Sequence, residues 1–209
     1  MSLNAVFEAD RALRTAERSL LAGDKSALVK ELAAAVTEAK GLGDVVEASM
    51  RLERLADLCA QVPGPEMADA LIAILDEDEP SVRFAAGEAL LDVAYDYYAE
   101  VAHAIDRALD RGDSGPAMSE LPFILAEVGE PGAAKQLKRF LALPNADVVA
   151  ATIEASALHM DPEMKPAIEA LTGDERSVRV EEFEAETLTT IGDLAKDAVA
   201  VLSELDDND

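Results

Sequence analysis

Apolar residues recur every three or four positions along most of the chain, and glycine, proline or aspartate interrupts this spacing at short intervals. The spacing is typical of amphipathic helices, and the interruptions are typical of helix ends. Asp24 and Asp44 stand where N-caps would begin two helices, and Pro80 stands at a first helical position. The pattern predicts helices over residues 3–21, 26–39, 44–60, 66–75, 81–95, 97–109, 116–128, 133–143, 146–159, 162–171, 175–191 and 193–205.

The predicted helices form pairs of similar size. The second helix of each pair begins near residues 44, 80, 115, 146 and 176, a period of roughly 30 to 36 residues that is typical of helical-repeat proteins. One pair is too small to bury its own apolar stripe, so neighbouring pairs must stack to complete a core. The period predicts an all-α fold, an α-solenoid of about five helical hairpins with flanking terminal helices, in a single domain over residues 1–209. The acidic end, residues 206–209, is expected to fray.

The clearest copy of the repeat is the stretch 71–94, LIAILDEDEPSVRFAAGEALLDVA, and a looser copy begins at Ile168. The clear copy ends one helix, turns through acidic residues and opens the next helix with Val-Arg. Residues 78–90 resemble the second helix of a HEAT repeat, in the subgroup named after the phycobilisome lyases. In that family a turn aspartate and the Val-Arg arginine tie adjacent repeats together. The resemblance implies these structural ties: Asp76 or Asp78 with Arg83, and Asp174 with Arg179.

Other pairs depart from the HEAT-like pattern. Val149 stands where the arginine would be in the fourth pair, and the third pair, near Gly115, lacks the Val-Arg sequence. In the last pair, Glu181 and Glu182 take positions that are alanine in the clear copy, which leaves the register of that helix open. We interpret the last pair as an atypical terminal repeat with a solvated outer face.

The chain is strongly acidic, with 43 Asp and Glu against 18 Lys and Arg and a net charge of -25. This charge repels phosphate backbones and anionic lipid headgroups, so the composition predicts neither nucleic acid nor membrane as a partner. Two interpretations of the acidity stay open. It is either an anionic surface for a basic protein partner or a general solubility or halophilic bias, because the acidic residues are spread along the whole sequence.

The sequence predicts a cytoplasmic protein. It contains no apolar run long enough to cross a bilayer, and Glu8 and Asp10 fall where a signal peptide would need its apolar core. The single cysteine, Cys59, lies on the apolar side of its helix with Leu52 and Leu55. We therefore expect a buried core residue there, not a reactive thiol.

The sequence holds no recognisable catalytic arrangement. The only histidines, His103 and His159, have no carboxylate or cysteine at a metal-ligand spacing. No glycine-rich loop is followed by the lysine of a phosphate-binding site, and neither Ser156 nor Cys59 has a base placed beside it by a known motif. The prediction is a protein that is not an enzyme and has no metal site and no cofactor.

All three tyrosines cluster at the corner between the second and third hairpins, among carboxylates. Tyrosine beside carboxylates suits the binding of lysine or arginine, although one or two of these rings would equally fill a gap at the corner. The second helices of a HEAT-like solenoid usually line its concave face. If Val82 and Ala86 point inward, then Glu88 and Asp92 point outward, and Glu154 matches Glu88 by position in its own repeat. The candidate partner-binding residues are Glu88, Asp92, Tyr95, Tyr97, Tyr98 and Glu154.

These residues predict an acidic, tyrosine-edged groove for a basic peptide or protein. The function expected from the sequence is a non-enzymatic scaffold or adaptor that binds a protein partner on its concave face. A narrower version is an antidote that masks a basic toxin, for which the acidity would raise the association rate. The alternative is an accessory or lyase-type protein that holds a tetrapyrrole-like cofactor between repeats.

Overall fold

The structure, a computed structural model, describes residues 2–182 and 185–206. The chain is predominantly helical with one small antiparallel sheet, which confirms the predicted helical class. A 3-10 turn, Pro162–Met164, precedes α9. The elements in chain order are α1 Leu3–Leu21, α2 Lys25–Lys40, α3 Val45–Ala60, α4 Pro65–Leu75, α5 Pro80–Arg111, α6 Ala117–Val128, α7 Ala133–Leu141, α8 Ala146–Leu158, α9 Lys165–Glu169, β1 Ser177–Glu182, β2 Ala185–Thr190 and α10 Ile191–Asp206.

Several helix starts are fixed by polar side chains that satisfy free backbone N–H groups. The carboxylate of Asp24 accepts the N–H of Ala27 at 2.7 Å, and that of Asp44 accepts two N–H groups at the start of α3. Pro65 and Pro80 open α4 and α5, where a missing N–H costs nothing. The predicted caps Asp24 and Asp44 are thus confirmed.

Helix α5 covers two of the predicted helices, 81–95 and 97–109. The break expected between residues 95 and 97 is a kink at Tyr97, whose φ of −135° and ψ of 46° are not helical. No glycine or proline stands at this position, so the chain bends at one residue and then resumes the helix. The two predicted helices correspond to the two parts of α5 on either side of this kink, so the predicted boundary is confirmed.

The helices pack in chain order as two rows. One row holds α3, the first half of α5, α6, α8 and α10, and each member contacts the next. The other holds α2, α4, the second half of α5, α7 and α9. Ser81 and Tyr95 bond to α3 and α6, whereas Arg107 bonds to Asp69 of α4, so the kink carries α5 from one row to the other. The core lies between the rows, and its largest fully buried members include Leu71, Leu90, Ile105, Leu125 and Phe140.

The predicted helix over residues 175–191 is wrong, because this stretch forms a β-hairpin. β1 pairs with β2 in antiparallel register, with Val178 opposite Thr189 and Val180 opposite Thr187. β-branched residues alternate along both strands, which favours an extended chain over a helix. α10 packs against α8 and α9, as the second helix of this last pair would. The β-hairpin thus lies between α9 and α10, which pack against each other.

Two further expectations concern the chain ends and membranes. Asp206 ends α10, and the remainder of the predicted frayed tail, 207–209, lies outside the described residues. None of the helices in the described ranges combines the length and the apolar character that a bilayer span requires. The single-domain organisation stays a prediction.

Cys59 is fully buried on α3, as the sequence predicted, and burial raises the pKa of its thiol from 9.0 to about 12. An unfolded thiol ionises near pH 9, so the folded state keeps a proton that the unfolded state loses above that pH. We expect the wild-type chain to lose about 1.4 kcal/mol of unfolding free energy per pH unit above about pH 9, relative to Cys59→Ala.

Urea unfolding of both chains at neutral and alkaline pH measures this difference. Tyrosine and lysine also titrate in the alkaline range, but they contribute equally to the two chains. A stability difference between the chains that does not change with pH would contradict the prediction.

Candidate functional site

The exposed side of α5 carries large aromatic residues among carboxylates. Phe84 is 71% exposed, and Glu88, Asp92 and Tyr95 follow it at helical spacing on the same exposed side. The opposite side, formed by Val82, Ala86, Ala89 and Val93, is buried in the core. The inward and outward assignment made from the sequence is confirmed. The sequence analysis did not place Phe84 among the candidate binding residues, because it treated this residue only as part of the repeat pattern.

A groove of about 610 Å³, the α3–α5 groove, runs along one side of Phe84. Its apolar lining includes the ring of Phe84 and the methyl groups of Ala85 and Ala89. Arg54 is the cation in this lining, and it is ion-paired with Glu17 of α1 and, at 3.0 Å, with Asp57. The carboxylates of the lining are Asp57, Glu88, Asp92 and Asp96. This groove is therefore strongly anionic along its length.

A second groove of about 420 Å³, the α5–α6 groove, lies on the other side of Phe84 and shares Glu88 with the first. It is more apolar, with Leu91, Phe123 and Leu158 in its lining. Its lining also holds the guanidinium of Arg83, the imidazole of His159 and the carboxylates of Glu88, Glu120 and Glu127. Together the two grooves place apolar surface and carboxylates on both sides of one exposed aromatic ring.

Glu127 fixes one end of the α5–α6 groove. The hydroxyl of Tyr95 donates to its Oε1 at 2.9 Å, and Nε2 of His159 lies 3.4 Å from its Oε2. The hydrogen bond to Glu127 raises the pKa of the Tyr95 hydroxyl, with further contributions from burial and the charge of Glu127. The hydroxyl of Tyr95 is thus engaged by Glu127, and the exposed ring is the part of this side chain that a partner could contact. Phe123 and Glu127 were not among the residues singled out from the sequence.

The three clustered tyrosines have different surroundings. Tyr97 lies at the kink, half exposed, in the lining of the α3–α5 groove. Tyr98 is half-buried, and its hydroxyl lies 3.3 Å from Oε1 of Gln136 on α7. Burial raises the pKa of Tyr98. Tyr98 therefore fills the corner between helices, whereas Tyr95 and Tyr97 lie beside the grooves.

Glu154 is exposed on α8 but does not join Glu88 in one groove. It lines the α8–α10 groove, of about 600 Å³, with Asp147, Asp197 and Arg179. α6 packs between α5 and α8 and separates the two sites. The expectation of one continuous groove through Glu88, Asp92 and Glu154 is corrected to separate grooves between successive helices.

The first predicted tie has a different form from the expected carboxylate–arginine pair. Among the described residues, Arg83 donates to the backbone oxygens of Glu77 at 3.2 Å and Asp78 at 2.8 Å, and lies 4.0 Å from a carboxylate oxygen of Glu120. Arg83 therefore closes its own turn. The carboxylate of Asp76 points to the next pair, where it accepts the N–H of Ala117 at 3.2 Å.

The second predicted tie uses another arginine. Asp174 pairs with Arg176 at 2.6 Å, three positions before the predicted Arg179, which lies on β1. Arg176 also donates to the backbone oxygens of Leu143 at 3.0 Å and Pro144 at 3.1 Å, in the turn between α7 and α8. The guanidinium lowers the pKa of Asp174, mainly through its side-chain hydrogen bonds. This tie joins two helix pairs, as expected, through a residue that the repeat alignment missed.

In the ranges that the structure describes, no group of three or more His, Cys, Asp or Glu side chains is placed to hold a metal ion. His103 is exposed on α5, and His159 contacts Glu127. The arrangement around Phe84 is suited to binding a cationic and apolar surface. Comparisons of the chain with protein-family models, with curated proteins and with solved structures each found no match.

Proposed function

We propose that the chain is a HEAT-like α-solenoid adaptor, without enzymatic activity, that binds a basic segment of a protein partner along its α3, α5 and α6 surface. The observation that carries this proposal is Phe84, exposed between two grooves whose linings hold carboxylates. Burying an exposed aromatic ring under a partner removes its apolar surface from water, which favours binding. The proposal adds that this partner is positively charged.

Charge complementarity supports a basic partner. The α3–α5 groove carries four carboxylates and one arginine that is already ion-paired. Lysine or arginine side chains of a partner would gain attraction from these carboxylates, and aromatic rings nearby add cation–π contacts. The net charge of -25 would also speed the encounter with a basic protein at low salt.

An amphipathic basic helix fits this surface best. Its apolar residues would contact Phe84, Leu91 and Phe123, and its lysines or arginines would contact Glu88 and Asp92. Helices recognised in grooves of this kind place their apolar anchors three or four positions apart. A basic toxin with such a helix would make the chain an antidote, which stays a narrower version of the same proposal.

The alternative of a cofactor-holding accessory protein has less support. A tetrapyrrole carries carboxylates of its own, and the grooves around Phe84 present carboxylates to their ligand. Like charges at close distance oppose such binding. Visible absorbance of the purified chain, or a ligand-induced rise in melting temperature, would favour this alternative over the adaptor.

Replacing Glu88 and Asp92 together by lysine is expected to weaken binding of the natural partner by more than tenfold, about 1.4 kcal/mol, since the substitution turns attraction into repulsion. The partner is first captured from native lysate on the immobilised wild-type chain. Its affinity for each variant is then measured by calorimetry at low and moderate salt.

A matched control separates the grooves from the general charge of the protein. Glu31 and Glu66 are exposed on α2 and α4, in the other row of helices, and their replacement by lysine changes the net charge equally. We expect the control to change affinity less than about twofold. Equal weakening by both pairs would show that total charge, and not the grooves, attracts the partner. An unchanged affinity in the Glu88 and Asp92 variant would remove the grooves from the proposed function.

A further inference from the structure

Helix α1 has an apolar face with little to cover it. Its described side chains include none that is buried, and it touches the rest of the chain mainly at its C-terminal end, where Glu17 forms an ion pair with Arg54 of α3. Leu20 and Leu21 at that end pack against the core. We define the α1 face as the exposed apolar residues Leu3, Val6, Phe7 and Leu13.

The first helix of the α3–α10 row is also open on its outer side. Interior members of that row contact a neighbouring row member on each side: α5 lies between α3 and α6, and α6 between α5 and α8. α3 packs against α5 on one side, while its N-terminal half exposes apolar side chains, with Val46 80% exposed. We define the α3 face as Val45, Val46 and Met50. A stack of helices needs a cover at such an end to stay soluble.

Charge decides which molecule can cover these two faces. The chain carries a net charge of -25, yet α1 holds three acidic residues, Glu8, Asp10 and Glu17, against three arginines, Arg11, Arg14 and Arg18. α1 is therefore a charge-balanced helix on a highly anionic protein. A second copy of the chain can approach through α1 without the repulsion that the rest of its surface would cause.

We infer that two copies of the chain associate end to end, with the α1 face of each copy packed on the α3 face of the other. Each copy offers both faces, so a two-fold axis satisfies both contacts at once, as in an isologous dimer. In such a dimer α1 of the other copy covers the outer side of α3, so α3 is packed on both sides, as α5 and α6 are. None of the residues of the α1 face or the α3 face lines a groove beside Phe84, so the inference does not rest on the proposed function.

The first test measures the mass of the full chain by sedimentation velocity and light scattering from about 1 to about 100 µM, at low and high salt. The wild-type chain should move from 22.1 kDa toward twice that mass, and at a lower concentration when salt screens the like charges of the two copies. Phe7→Glu and Met50→Glu should each weaken the association more than tenfold. A wild-type chain that stays at 22.1 kDa throughout overturns the inference.

Phe84→Glu is the matched control, because it makes the same chemical change at another exposed phenylalanine. It should leave the dimer intact. Equal weakening by Phe84→Glu and Phe7→Glu would show a contact through the α5 surface and overturn the inference. Circular dichroism confirms that each variant keeps its helical content, as expected for substitutions of exposed residues.

Disulfide trapping tests the exchange of faces directly. Val6→Cys and Val46→Cys chains, mixed and oxidised, should give a disulfide-linked heterodimer in preference to either homodimer. Buried Cys59 does not compete, because burial raises the pKa of its thiol to about 12. A Val6→Cys homodimer as the main product would mean that α1 pairs with α1, and a disulfide within a monomeric double variant would mean that α1 covers its own α3. Either product overturns the proposed arrangement.

Discussion

Replacing Arg176 by alanine is expected to lower the free energy of unfolding by about 2 to 3 kcal/mol, because one guanidinium satisfies a carboxylate and two backbone oxygens. The side chain is 33% exposed, so solvent already screens part of this interaction and the expected cost stays below that of a fully buried pair. The oxygens belong to Leu143 and Pro144, in a turn that is distant in sequence. The substitution therefore loosens the contact between two helix pairs as well as one turn.

Thermal and urea unfolding measure this loss, and a fall in melting temperature of about 5 to 10 °C is expected for a chain of this size. Arg176→Lys should recover only part of the stability, because an ammonium cannot hold the forked geometry. Arg14→Ala is the matched control: Arg14 forms an exposed pair with Asp10 within α1, and its loss should cost less than about 0.5 kcal/mol. Equal costs for Arg176→Ala and Arg14→Ala would contradict the proposed tie.

The stability that the Asp174–Arg176 pair contributes is expected to fall at acidic pH. The pKa of Asp174 is lowered in the folded state, so its pair with Arg176 contributes stability above the unfolded pKa of about 4. This contribution is lost as the pH falls through the lowered folded value. The stability advantage of the wild-type chain over Asp174→Asn should therefore shrink below about pH 4.

The helices of this protein were predictable because their signals are local. Capping aspartates, first-turn prolines and a three-to-four spacing of apolar residues all act within one or two turns, and the observed α2, α3, α4 and α6 follow them closely. The β-hairpin was missed although its signal is also local. Val178 and Val180 alternate as in a strand, but the Val-Arg resemblance to the clear repeat outweighed that alternation. A repeat match thus displaced a correct local signal.

The site was predictable only in part. Glu88 and Asp92 were placed outward correctly, because burial of one side of α5 fixes the other. The grooves themselves depend on how neighbouring helices are spaced, which no single helix encodes. Glu127 lies far from Tyr95 in the sequence, yet the two side chains are hydrogen-bonded. Phe84, unlike Glu127, could have been predicted from the sequence, since a phenylalanine one turn before Glu88 falls on the same exposed side.

Asp76 and Gly115 are expected to be strongly coupled in a double-mutant cycle. A Cβ added to Gly115 would overlap with the carboxylate of Asp76, far inside contact distance. The backbone of Gly115 is not in the left-handed region, so this contact, and not strain, is the obstacle. Gly115→Ala should displace the Asp76 carboxylate, leave the N–H of Ala117 without its partner, and cost about 1 to 3 kcal/mol.

Asp76→Ala should cost a similar amount, since it removes the same hydrogen bond. The double variant should then be no less stable than Asp76→Ala alone, because removing the carboxylate makes room for the new methyl group. The expected coupling is about 1 to 3 kcal/mol, the full cost of Gly115→Ala in the wild-type chain, and is well above the few tenths seen for independent sites. Gly43→Ala is the control: a Cβ there meets nothing within 4 Å, and the stability should stay within about 0.5 kcal/mol of wild type or rise.

Urea unfolding of the four chains of the cycle provides the measurement. Additive costs would mean that Asp76 and Gly115 act separately, and an unchanged stability of Asp76→Ala would mean that the hydrogen bond from the Ala117 N–H to Asp76 contributes none. Coupling of the expected size would place a stabilising tie between the end of α4 and the start of α6. Such a tie fixes α6 relative to α4, on which α5 packs, and with it the width of the groove between Phe84 and Phe123. The variants should therefore weaken partner binding as well as folding.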